Sequence, residues 1–194
     1  YLEEVEAAGV PTVPTRVVAA LDEDALEEAR RDFGPELVIK PPVSAAADGT
    51  HRLGPDDPLP ADSRGRAMLI QPFLRSVAAE GEYSIMIFGG RFSHAIVKRP
   101  KAGDYRVQPH LGGTEQRCDP PEGAIELAHA ALAAAPAEAA YARVDIIRDN
   151  EGKLAVIELE LIEPALWLQH AQDGGESFAR AIREALGQAA PSWP

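Results

Sequence analysis

Tyr141-Ala-Arg-Val-Asp-Ile-Ile-Arg-Asp-Asn-Glu-Gly-Lys-Leu-Ala-Val-Ile-Glu-Leu-Glu160 is the stretch whose reading decides the fold. Two apolar runs flank the polar turn Asp149-Asn-Glu-Gly152, the pattern of a β-hairpin. Asp145 lies on the first strand, Glu158 and Glu160 on the second. Side chains alternate along a strand, so Glu158 and Glu160 point the same way, and folding about the turn can bring Asp145 opposite them. Val156, Ile157, Leu159, Leu161 and Ile162 predict a strand buried on both sides. Three carboxylates gathered between apolar strands repel one another and resist burial. A hard divalent cation bound through oxygen resolves that conflict, with magnesium on a nucleotide phosphate the usual case. The other reading is a solvated polar face.

The rest of the chain sets the bounds. Its 194 residues suffice for one substantial core or two small lobes. Nineteen basic against 31 acidic residues leave a net charge of −12, which disfavours nucleic acid and anionic membranes as partners. The single cysteine, Cys118, can form no internal disulfide, and a reducing cytoplasm is the simplest setting. No apolar run approaches the length of a membrane span, and the N-terminus does not read as a signal peptide.

Outward from the hairpin, hairpins alternate with helices, which predicts an α+β architecture in two lobes, 1–71 and 72–194. A short helix over 1–8 has Leu2 and Val5 on one side. Asp22 caps a helix over 23–32. Strands are expected at 15–19, 36–40 and 67–74, the last ending at a proline where the lobes could hinge. Lys40 closes the second of these, and Val43-Ser-Ala-Ala-Ala-Asp-Gly-Thr50 follows as a small-residue loop. Such a loop lets backbone N–H groups approach an anion, with the lysine adding charge, but it is also a common loop composition. Residues 51–66 read as a long surface connection. Gly89-Gly90 joins strands at 81–88 and 91–98, the clearest hairpin signal in the chain. His94 there reads as a packed or strand-surface residue. Lys98, Arg99, Lys101 and Arg106, interspersed with Gly103 and Gly112-Gly113, form a basic loop that is either a phosphate clamp or an ordinary solvated segment. An alanine-rich helix covers 123–135. A short helix is expected at 165–171. A last one runs from a capping box at Asp173-Gly-Gly-Glu176 to about Leu186, with Phe178, Ile182 and Leu186 in a core stripe.

Together these pieces resemble the ATP-grasp superfamily of ligases across nearly the whole chain. The carriers are Lys40 with its loop, Gln71-Pro-Phe-Leu74, Gly81-Glu82, Arg106 with Gly112-Gly113, Ala142-Arg-Val-Asp145 and Ile157-Glu-Leu-Glu160. The glutathione synthetase, ribosomal-protein glutamate ligase and D-alanine–D-alanine ligase branch is the nearest likeness, with a looser one to the cyclo-ligases of D-cycloserine biosynthesis. The resemblance implies a nucleotide held between two lobes, ATP and Mg2+ as cofactors, and small-molecule carboxylate and amine substrates joined through an acyl phosphate. It further implies that Lys40 and Ser44 meet the phosphates, that Gln71, Phe73 and Leu74 meet adenine, and that Glu82 holds the ribose. Asp145, Glu158 and Glu160 would carry magnesium, and Arg143 and Arg106 would neutralise the transferring phosphoryl group.

The chain departs from the family in three ways. Ala45-Ala-Ala47 replaces glycines in the phosphate loop, and Glu160 stands where relatives usually have asparagine. The N-terminal pre-ATP-grasp domain, with a second nucleotide-binding lysine, is expected to lie outside this sequence. A nucleotide-binding regulatory module without ligase activity and a small-molecule phosphotransferase are the competing readings of the same residues.

Overall fold

Residues 1–44 and 47–187 are described by the computed structural model. They form two compact units: one is Val13–Arg75, and the other joins Tyr1–Thr12 to the chain from Ser76 onward. The sequence placed a single boundary after residue 71 and gave the first residues to the smaller lobe. That assignment is corrected by two long-range contacts that no local pattern encodes. Helix α1 (Leu2–Ala7) buries Leu2 and Val5, Val5 within the core of the larger unit. The segment after it runs parallel to the distant strand at Val156, whose N–H donates to Pro11 O at 2.9 Å.

In the smaller unit, β1 (Arg16–Val18), β2 (Leu37–Lys40), β3 (His51–Leu53) and β4 (Met68–Pro72) form an antiparallel sheet in the order β1-β4-β2-β3. Helix α2 (Glu23–Phe33) covers it. The Asp22 carboxylate accepts from Ala25 N at 2.8 Å, a cap worth about 1 kcal/mol. Leu26 and Ala29 of α2 join Leu37, Ile39, Met68 and Ile70 in the core. The segment 51–66 is more than a surface connection. It contributes β3, and Leu53, Leu59 and Ser63 are buried, because the short strand pairs with β2 and its loop folds under the sheet.

The larger unit contains α3 (Ser76–Ala79), β5 (Glu82–Phe88), β6 (Arg91–Arg99), β7 (Thr114–Cys118), α4 (Ala124–Ala133), β8 (Tyr141–Arg148), β9 (Leu154–Glu160) and α5 (Glu176–Ala185). Its five-stranded antiparallel sheet has the order β7-β6-β5-β8-β9. One face is apolar across its centre. Ile85, Ile87, Ala95, Val144, Ile146 and Val156 pack there with Ala124, Ala128 and Ala131 of α4, whose small side chains let the helix lie close. On the other face Met86, Phe88 and Ile96 pack with Ala181 and Phe178 of α5, leaving the neighbouring end polar. The inward residues of α5 are Ala181 and Phe178, while Leu186 is 64% exposed, so the expected stripe stops short of the last turn. The helix expected at 165–171 is a 3-10 turn at Leu168–His170.

His94 is fully enclosed on β6. Its Nε2 lies 2.9 Å from Leu166 O, which can only accept, so Nε2 carries the proton and Nδ1 accepts from Ser93 Oγ at 2.9 Å. Burial pushes this imidazole below its ordinary value. An unfolded imidazole binds its proton near pH ~6.5 while the folded one stays neutral, so the unfolded state holds more protons there. The stability His94 contributes is therefore present above that pH and lost as pH falls toward the depressed value. Thermal midpoints followed between about pH 7.5 and 5.5 are expected to fall in the wild type and to fall less in His94→Gln. Equal slopes for the two proteins would remove this role.

Candidate active site

Directly opposed residues in a sheet share a face, and the register lines up Glu115 with Lys98, Lys98 with Glu82, Ser84 with Asp145, Asp145 with Glu158, and Arg143 with Glu160. Five strands thus contribute polar side chains to one patch of the face that α5 leaves uncovered. Glu158 and Glu160 reach that face because of a bulge. The register steps between Asp145 and Ile146, with Ile157 as the extra residue of β9. Strict alternation would put Val156 and Glu158 on one face. The bulge sends Val156 into the apolar core beside Ile146 and turns Glu158 and Glu160 toward the polar patch. β9 is the edge strand of the sheet, so these two acids are half-buried instead of enclosed on both sides as expected.

Asp145 is the centre of the patch and is 0% exposed. Its Oδ1 accepts from Ser84 Oγ at 2.6 Å and Arg143 Nε at 3.0 Å, and its Oδ2 from Lys98 Nζ at 2.9 Å and Arg143 Nη2 at 3.0 Å. Lys98 and Arg143, each 7% exposed, carry this charge, and both also pair outward, Lys98 with Glu82 and Arg143 Nη2 with Glu160 Oε1. Burial alone would raise Asp145, but Lys98 and Arg143 outweigh it and hold the carboxyl well below the carboxylate range. Burial works against the charged Lys98 and Arg143 as well, yet the surrounding acids keep both firmly protonated. Glu82 and Glu160 are pushed upward, chiefly by burial, with the cations offsetting it only in part. Acid outnumbers base in the patch.

Ligand oxygens of Asp145, Glu158 and Glu160 all lie within 4.8 Å of one another. An all-carboxylate set suits a hard, oxygen-seeking divalent cation and lacks the thiolate or imidazole that favours zinc. Asp145 is already held by Ser84, Lys98 and Arg143, so a cation there must share or displace one of them.

The other expected site residues are placed as follows. Glu82 and Arg143 belong to the patch. Arg106 does not join it in the described contacts. Asp104 accepts from Arg106 Nε at 3.1 Å and Nη2 at 2.9 Å, which holds Asp104 well below the carboxylate range and ties the arginine into its own loop. Lys40, Ser44, Gln71, Phe73 and Leu74 fall in the smaller unit. Lys40 ends β2 and Ser44 is exposed beyond it, while Ala45 and Ala46 of the small-residue loop lie outside the described residues. The Gln71 side chain is buried and donates to Thr15 Oγ1 at 2.8 Å. Phe73 N donates to Glu36 O at 2.9 Å, and its ring lies 3.7 Å from the Arg52 guanidinium carbon.

Lys98 was read as part of a basic loop and is the main residue that sequence reasoning missed. It lies near the end of β6, where pairing with β5 and β7 draws it into the patch. The strand alternation of His94, Ile96 and Lys98 was the available signal. Gly81 serves the same corner: at φ 96°, a Cβ there would stand 2.4 Å from Lys98 O. Removing one member of a buried ion cluster leaves its partners uncompensated, so Lys98→Met is expected to cost about 3–5 kcal/mol in chemical denaturation. A loss below about 1 kcal/mol, the size of a surface pair, would contradict the burial of this cluster.

No profile of a known protein family matches the chain. The cycloserine biosynthesis protein DcsG of Streptomyces lavendulae is 34% identical, over 96% of this chain and 68% of that protein. The crystal structure of the D-cycloserine synthetase DcsG superposes with a TM-score of 0.78 at 31% identity, over 96% of this chain and 69% of that one. At 16% identity the fold is shared with the ATP-grasp ligase PsnB bound to minimal precursor, Mg and ADP, with a TM-score of 0.68 over 95% of this chain and 57% of that one. It is likewise shared with D-alanine–D-alanine ligase from Bacillus anthracis complexed with ATP, at 18% identity and a TM-score of 0.64, over 94% of this chain and 62% of that one. Sequence kinship to DcsG over two thirds of its length, on this α+β fold, places the chain in the ATP-grasp superfamily of ligases, the ATP-dependent enzymes of carbon–nitrogen bond formation.

Proposed function

We propose that the chain carries the nucleotide and metal machinery of an ATP- and magnesium-dependent ligase that activates a small-molecule carboxylate as an acyl phosphate and joins it to an amine. The convergence of Asp145, Glu158 and Glu160 beside Arg143 is the observation that carries this reading. These carboxylates would hold magnesium, which when bound would neutralise phosphate oxygens. Lys98 and Ser84 keep Asp145 ionised and oriented for that purpose.

In this reading a substrate carboxylate oxygen forms a bond to the γ-phosphorus as the bond to ADP breaks. The amine then attacks the acyl carbon, and inorganic phosphate leaves with the carboxylate oxygen. Both steps call for placed positive charge more than for a protein nucleophile. Arg143 would face the transferring phosphoryl group. Arg106 would do so on exchanging Asp104 for phosphate, a swap of one anion for another. In the smaller unit Lys40 and Ser44 would meet the phosphates, and Gln71, Phe73 and Leu74 the adenine. The Phe73 N–H is already held by Glu36 O, and Gln71 and Pro72 lie in the β4–β2 pairing. Glu82 would meet the ribose.

The relative's name narrows the substrate class. D-cycloserine is a small cyclic amide, so a cyclising ligation, with acid and amine in one molecule, is the finer form of the proposal. A cytoplasmic setting accompanies it, and among the described residues no helix is long and apolar enough to cross a membrane.

The test is nucleotide turnover by the protein with ATP, magnesium and a panel of amino acids and amino-acid derivatives, some able to cyclise. ADP and inorganic phosphate are expected in equal amounts, and Glu158→Ala is expected to lower the rate at least about 100-fold. ADP without free phosphate would make the protein a phosphotransferase. Binding of magnesium–ATP with no turnover on any substrate would make it a regulatory module.

A further inference from the structure

Between β9 and α5 the backbone twice enters the left-handed region at residues other than glycine, at Glu163 with φ 54° and at Trp167 with φ 43°. A bulky side chain disfavours this conformation, and it persists only where its surroundings impose it. At Trp167 those surroundings are specific. The preceding carbonyl, Leu166 O, is held by His94 Nε2 at 2.9 Å, and the indole N–H donates to Glu115 Oε2 at 2.7 Å. The ring is thereby fixed at the border of the apolar cluster of Met86, Phe88 and Ile96. It confronts the two cations of the carboxylate patch, with the Arg143 guanidinium carbon 5.5 Å and Lys98 Nζ 6.0 Å from its centroid.

We propose that Trp167 is a positioning residue for Arg143 and Lys98, anchored by Glu115. Each cation is pulled by two carboxylates, Lys98 by Glu82 and Asp145, Arg143 by Asp145 and Glu160. Acids alone leave a flexible lysine and arginine free to follow whichever oxygen moves. The aromatic face adds an attraction for both cations besides that of these carboxylates, at 5.5 Å from the Arg143 guanidinium carbon and 6.0 Å from Lys98 Nζ. Glu115 completes the device from the neighbouring strand β7, since a charged acceptor fixes the indole more firmly than a neutral one. The left-handed backbone at Trp167 and the bond to Glu115 together set where the ring points. An apolar residue of similar size would fill the border without holding either cation.

The kinetic arm of the test rests on the ligase reading. With magnesium–ATP and a substrate that the protein turns over, Trp167→Leu is expected to lower kcat about tenfold while the KM for ATP changes by less than about twofold. Trp167→Phe, which keeps a ring face, is expected to recover to within about threefold of the wild type. A leucine variant within about twofold of wild-type kcat, or phenylalanine no better than leucine, overturns the proposal. The second arm needs no activity. In urea unfolding of Trp167→Leu, Arg143→Gln and the double variant, the unfolding constant is expected to depart about fivefold from the product of the single effects, and additivity overturns the proposal. Lys98→Met replaces Arg143→Gln should that variant not fold. A silent wild type with a coupled cycle sinks the ligase reading and keeps the clamp. An active wild type with an additive cycle does the reverse.

Discussion

A carboxylate fully removed from water governs this structure. Ionised Asp145 could not remain in a sheet interior without compensation, and its donors come from three strands: Ser84 on β5, Lys98 on β6 and Arg143 on β8 itself. That requirement makes the strand order consequential. Only with β5 between β6 and β8 can Lys98 reach across Ser84 to Asp145 while Arg143 closes the other side. The alanines of α4 contribute from below. By letting the helix press close on Val144 and Ile146, they dry the opposite face and lower the local dielectric, which strengthens each ion pair and raises the penalty for breaking one.

Much of this was legible in sequence because it rests on local chemistry. The Gly89-Gly90 and Asp149–Gly152 turns, the Asp22 cap and the alternation of apolar residues define hairpins and helices wherever the controlling signal lies within a few residues. The same chemistry assembles Asp145, Glu158 and Glu160. What escaped the sequence depends on partners far along the chain. β3 and β7 are short and polar, and only pairing with β2 and β6 makes them strands. Val13 opens a separate unit although the residues before it belong with β9, because the parallel bridge from Thr12 to Val156 spans most of the sequence.

The bulge at Ile157 shows why a correct inference can rest on incomplete geometry. Alternation alone puts Glu158 and Glu160 on a common face, which holds, but it also puts Val156 there, which does not. A single extra residue resolves the conflict between an apolar side chain that needs the core and two acids that need solvent or a cation. Nothing in the composition of Ala155-Val-Ile-Glu-Leu-Glu160 marks where that residue falls. The pairing with β8 decides it, since Ile146 requires an apolar partner and Asp145 sits directly beside it.

Glu160 brings these constraints together. Its carboxylate adds a charge to a patch already rich in acid, and burial lifts its affinity for a proton. Arg143 is the reason the charge is tolerated. Its guanidinium turns one edge to Asp145 and shares Nη2 with Glu160. An asparagine oxygen could accept the same hydrogen bond, but as a neutral partner of roughly half the strength. The acid therefore holds the arginine more firmly than a neutral side chain would. That hold counts only if the guanidinium plane is fixed, since two carboxylates on one side leave it free to rock about the line joining them. The Trp167 ring lies off that line and removes the remaining freedom.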